Sequence, residues 1–127
     1  MWVFLSPVVQ AATLTVPGTH TTIAAAVQSS VSGDEIVVAA GSFCESLTIN
    51  KAITIRGAGP DATTLDGSCA SSVAVVEITT DGAHLEDLTI DAANLYTGLK
   101  IANGVDATAA SLYVRNGTTN AASDGKG

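Results

Sequence analysis

Carboxylates are the side chains in this chain with the most chemical scope. Glu86, Asp87 and Asp91 form its densest acidic group. A calcium site would need several such oxygens converging on one point. Strand alternation would send residues 86 and 87 to opposite faces, and Arg115, 24 residues on, is the expected neighbour of Asp91. A solvated acidic edge is therefore expected here, with calcium as the alternative. Hydrolysis of a glycosidic bond needs two carboxyls about 5–9.5 Å apart. Stacking by a repeat would allow Asp66 to come that close to Asp87 or Asp91, as it would many surface acids. No serine or cysteine triad pattern and no Gly-rich phosphate loop after a strand is present, so no catalytic residue is assigned.

Tyr113 is the candidate carbohydrate contact, an aromatic on an outward strand position where a sugar ring can stack; Tyr96 and Trp2 are less well placed. Cys44 and Cys69 are expected to pair. Their even number fits an oxidising compartment, and a closed loop of 26 residues would stabilise the fold by roughly 3–4 kcal/mol. Two buried thiols acting as small hydrophobes are the alternative. Neither His20 nor His84 stands at ligand spacing from the cysteines, so no metal site is expected. Asn116-Gly117-Thr118 matches a glycosylation sequon.

Any such groups must be carried by elements that the composition constrains. The 127 residues have room for one domain. They are 46% hydrophobic but only 4% aromatic, with 21 Ala and 16 Thr. Small and β-branched residues suit closely stacked strands better than long helices. Twelve acids against five bases give a net charge of −7. No basic stripe exists to neutralise phosphates, which excludes nucleic acid as a partner.

Thr13-Leu14-Thr15-Val16 alternates like a strand, and Pro17-Gly18 makes a turn. One helix follows, capped by Thr21 or Thr22, with Ile23, Ala26, Val27 and Val31 on one face and Ser32-Gly33 at its end. After the strand Ile36-Val37-Val38, apolar triplets recur. Ile53-Thr54-Ile55, Val76-Glu77-Ile78 and Leu99-Lys100-Ile101 are spaced 23 and 23 apart. Leu65-Asp66-Gly67, Leu88-Thr89-Ile90 and Leu112-Tyr113-Val114 are spaced 23 and 24 apart. Two interleaved series with one period, each alternating with period 2, predict a solenoid of strands. Stacking by that period predicts outward columns Thr54–Glu77–Lys100 and Asp66–Thr89–Tyr113, with Asp91 beside Arg115. Mixed columns of this kind argue against a Thr array matched to ice. Gly57, Gly59, Asp81-Gly82, Asn103-Gly104 and Asn116-Gly117 punctuate the corners.

Within this pattern lies a more specific order: Thr22-Ile23-Ala24-Ala25-Ala26-Val27, Gly33-Asp34-Glu35-Ile36-Val37-Val38, Gly41-Ser42-Phe43-Cys44-Glu45, then Leu47-Thr48-Ile49-Asn50-Lys51-Ala52-Ile53-Thr54-Ile55-Arg56-Gly57. This order resembles the N-terminal portion of right-handed parallel β-helix proteins of the pectin-lyase-like superfamily. It covers about residues 20–67 closely and the remainder through the repeat alone. The resemblance implies an all-β, right-handed parallel β-helix whose N-terminal α-helix caps the first coil. It implies three sheets around an apolar interior and an outer face on which some members process polysaccharides. The pectinesterase motifs Gln-Asp-Thr-Leu and Val-Asp-Phe-Ile-Phe-Gly are absent from this sequence, as is the lyases' catalytic Arg with grouped calcium-binding carboxylates.

Residues 1–12 read as the remnant of a secretory signal, an apolar run ending in Gln10-Ala11-Ala12, or alternatively as a strand on the first layer. No segment is long enough to span a membrane. Residues 13–127 are expected to hold the cap and first coils of a solenoid truncated at its C-terminus, able to associate end to end through an uncapped last coil. The expected protein is secreted or attached to the cell surface and serves adhesion or polysaccharide binding. A pectinesterase- or polysaccharide-lyase-like enzyme with its catalytic coils missing is the alternative.

Overall fold

A computed structural model describes residues 12–69, 74–93 and 97–121. The expected signal remnant, Trp2 and Tyr96 lie outside these residues, Ala12 excepted. The chain is a parallel β-helix of about four coils, with about 24 residues per coil. Its elements are β1 (Thr13–Val16), α1 (Ile23–Ser29), β2 (Glu35–Val38), β3 (Gly41–Cys44), β4 (Leu47–Ile49), β5 (Thr54–Arg56), β6 (Thr63–Asp66), β7 (Ala74–Ile78), β8 (His84–Asp91), β9 (Thr97–Ile101), β10 (Thr108–Arg115) and β11 (Thr118–Ala121).

Every strand pair is parallel, and the pairings define three faces. The first runs β1–β2–β5 and continues through the N-terminal halves of β8 and β10. The second runs β3–β6 and continues through the C-terminal halves of β8 and β10. The third is β4–β7–β9–β11. Strands β8 and β10 serve two faces because one residue in each, Asp87 (φ 57°) and Ser111 (φ 48°), turns the chain at the corner. Short polar residues enter this left-handed conformation at modest cost. In the second coil a loop at 57–62 makes the same corner. There a Cβ on Gly57 would lie 2.2 Å from the Asp87 carbonyl oxygen, so the backbones can pass only with glycine.

Inward residues stack as aliphatic columns. Ile36, Ile55 and Leu85 line the first face, Leu65 and Ile90 the second, and Ile49 and Ile78 the third, all buried. Each contributes roughly 1.5–3 kcal/mol on burial. Phe43 is only half-buried, packed against this core.

Strands β7 and β9 pair Val76 with Leu99, as the 23-residue step predicts. The preceding step differs. Thr54 stands beside His84 on the first face, and the third-face neighbour of Glu77 is Thr48. The loop at 57–62 and the residues between β6 and β7 lengthen the second coil, so Leu47 reaches Val76 over 29 residues. Leu65 likewise aligns with Ile90 and Asp66 with Asp91, which makes the columns Thr64–Thr89–Tyr113 and Asp66–Asp91–Arg115. Similarly patterned apolar triplets on different faces produce the apparent regularity.

Helix α1 closes the N-terminal end, burying Ile23, Ala26 and Val27. It ends at Ser30, whose N–H reaches the Ala26 and Val27 carbonyls, rather than at Ser32-Gly33. Val31 is consequently outside the helix and 51% exposed. The positive φ of Gly33 serves the turn into β2 instead, where its N–H meets the Ala52 carbonyl at 2.9 Å. At the helix start, Thr22 Oγ1 accepts from the Ala25 N–H, and the Glu45 carboxylate accepts from the Ile23 and Ala24 N–H groups, both at 2.9 Å. At its end, Lys51 Nζ donates to the Val27, Gln28 and Ser30 carbonyls at 2.8, 2.9 and 2.6 Å. Seven residues form a marginal helix in isolation. Opposite charges at its two ends satisfy the orphan groups and oppose the helix dipole.

The Cys44–Cys69 disulfide ties β3 to the short 3-10 turn Gly67–Cys69 one coil on. Replacing both cysteines by serine is expected to lower unfolding stability by about 3–4 kcal/mol, read from urea denaturation. Lys51→Met is expected to cost about 2 kcal/mol in the same assay, because three carbonyls lose a charged donor. An unchanged midpoint would show that water satisfies them as well.

Candidate functional site

Tyr113 lies on the second face, in β10. Alternation with half-buried Leu112 and Val114 turns its ring outward, and the residue is 59% exposed. One coil below, Thr89 holds the same outward position but is covered, its hydroxyl donating to the Pro60 carbonyl. The 57–62 loop therefore roofs the third coil and leaves the fourth coil's ring open.

Two residues along β10, Arg115 stacks on Asp91 as expected, with Nε donating to Oδ2 at 3.0 Å. Asp91 Oδ1 also accepts from Asn116 Nδ2 at 2.8 Å and from the Ala93 N–H at 2.9 Å. Asn116 adopts φ 56° at the next corner, which swings its amide back onto Asp91. The sequon asparagine thus closes a latch between the third and fourth coils. The Asn116 amide, the Ala93 N–H and Arg115 hold the Asp91 carboxyl below its ordinary value, against a smaller opposing effect of burial.

Asp66 is the register partner of Asp91, so the structure does bring two carboxylates side by side. Three donors already occupy Asp91, however, which commits it to the latch rather than to a nucleophile or calcium ligand. Asp66 accepts from the Ser68 N–H at 2.8 Å, beside the disulfide. The expected group of Glu86, Asp87 and Asp91 is dispersed. Glu86 faces outward on the first face, Asp87 occupies the corner instead of the opposite face of a strand, and Asp91 sits on the second face. Among the described residues, no three His, Cys, Asp or Glu side chains gather to hold a metal ion.

A second polar cluster lies on the first face. Arg56 bridges Glu35 at 3.1 Å and Glu86 at 2.8 Å. His84 shares a 2.6 Å hydrogen bond with Thr108, and its other ring nitrogen lies 4.0 Å from Glu86. His20 meets Thr19 Oγ1 at 3.0 Å in an exposed turn. On the third face Lys100 and Glu77 pair at 3.2 Å, as the 23-residue step predicts. Sequence reasoning overlooked the Arg56 cluster because it joins residues 21 and 30 apart that only uneven coil lengths align, and the Asn116 contact because it depends on the turn at the corner.

Among the described residues no helix is long and apolar enough to cross a membrane. Comparison with known proteins finds no matching family model and no matching curated protein.

Acid should open the latch. With a folded value below the ordinary aspartate 3.8, ionised Asp91 contributes stability that is complete above that value and lost as pH falls through the lower folded one. Urea midpoints measured across roughly pH 2–7 should be flat near neutrality and fall in the acid range. Asp91→Asn should start from a lower plateau and fall less. Parallel curves for the two proteins would refute the latch.

Proposed function

We propose that this chain is the N-terminal segment of a secreted or cell-surface β-helix protein of the pectin-lyase-like kind, binding a polysaccharide on its second face. The observation that carries this reading is the open ring of Tyr113, 59% exposed, beside the Asp91–Arg115–Asn116 array. A planar aromatic covers the apolar face of a sugar ring, while amide, carboxylate and guanidinium groups meet its hydroxyls. A stacked solenoid also suits an extended chain ligand, since it repeats its outer positions every 4.8 Å or so. The order of helix, Gly33-Asp34-Glu35-Ile36-Val37, Gly41-Ser42-Phe43-Cys44-Glu45 and Lys51 supports the family reading. The disulfide supports an oxidising compartment. Binding is favoured over catalysis because three donors already hold Asp91 in place.

Affinity electrophoresis through gels containing plant and microbial polysaccharides tests this reading. At least one polysaccharide should retard the chain without being cleaved. Tyr113→Ala, with unchanged unfolding, should weaken that retardation by about tenfold. Equal retardation of the variant, or release of sugar products, would overturn it.

A further inference from the structure

Within that polysaccharide reading, the geometry points to an uncharged polysaccharide, not a polyuronate, as the ligand class of the Tyr113 face. The cations decide this. A polyuronate carries a carboxylate on each sugar and needs free cationic side chains or a bridging metal to neutralise it. Among the described residues, every Lys and Arg is already committed. Lys51 is spent on three helix carbonyls. Arg56 lies between two carboxylates, Glu35 and Glu86. Lys100 is paired with Glu77, and Arg115 with Asp91.

On the face that carries Tyr113 the balance of formal charge is negative. Arg115 is neutralised by Asp91, and the register partner Asp66 adds a further carboxylate. The chain as a whole carries −7. A polyanion approaching this face would meet like charge with no free counter-charge, a repulsion worth several-fold in affinity at low salt. A neutral sugar loses nothing there. It offers the aromatic ring an apolar C–H face, and its hydroxyls can both donate to the carboxylates and accept from the amide and guanidinium N–H groups.

Binding measured in parallel against a neutral glucan, a neutral galactan and polygalacturonate, the last with and without calcium, separates the outcomes. The wild-type chain and Tyr113→Ala are compared at low and high salt. The inference expects Tyr113-dependent binding of a neutral glycan, with affinity changing less than about twofold across the salt range. Tyr113-dependent binding of polygalacturonate that matches or exceeds the neutral glycans, with or without calcium, would overturn the ligand class while leaving the Tyr113 face intact. Binding that survives Tyr113→Ala, or no binding to any of the glycans, would overturn the face itself and the inference with it.

Discussion

Parallel strands stacked in register, one coil about 4.8 Å above the next, are the constraint from which the rest of this structure follows. The hydrogen-bond ladder fixes which residue lies over which, so each inward position belongs to a column and each outward position to a row. Inward columns are filled here by Ile, Leu and Val, side chains that repeat at the coil spacing without colliding. Where two coils pass most closely, at Gly57 against Asp87, even one carbon beyond the backbone has no room.

Stacking of this kind leaves each end of the solenoid with exposed apolar columns and unpaired strand edges. At the N-terminal end a short helix covers the columns, and charged side chains from the next coil hold it there. Glu45 follows β3 and grips the helix start, while Lys51 precedes β5 and grips its end. Asp34, earlier in the chain than either, is buried and accepts from the Ala12 and Val31 N–H groups. Those two hydrogen bonds, Ala12 first, hold its carboxyl below the ordinary value. The positions of Glu45 and Lys51 thus have a local explanation: the helix is too short to persist without partners at both ends.

The same stacking decides what the outer residues can do. A carboxylate on a row has neighbours one coil up and one coil down, and their identity assigns its role. Asp91 has Arg115 on one side and Asp66 on the other, with Asn116 reaching back from the corner. It is a structural clamp because three donors already hold it, although its residue type alone would suit catalysis or calcium. Tyr113 differs in having its neighbour Thr89 hidden beneath Pro60, which leaves the ring as the exposed feature of that row.

The solenoid, the capping helix with a threonine at its start, the corner glycines, the Cys44–Cys69 pairing and the Glu77–Lys100 and Asp91–Arg115 contacts were all legible in the sequence. Each rests on short-range alternation, on a turn chemistry, or on a step between coils of nearly equal length. The face to which each triplet belongs was not legible, nor was the true helix end. A triplet such as Ile53-Thr54-Ile55 reads alike on any of the three faces. Only closure of each coil around a filled interior decides where it lies, because loops of unequal length absorb the difference. The amino-acid order alone thus determined that this chain winds and stacks. Which outward side chains become neighbours was settled by the tertiary structure, since contact between coils depends on the summed length of every strand and corner between them.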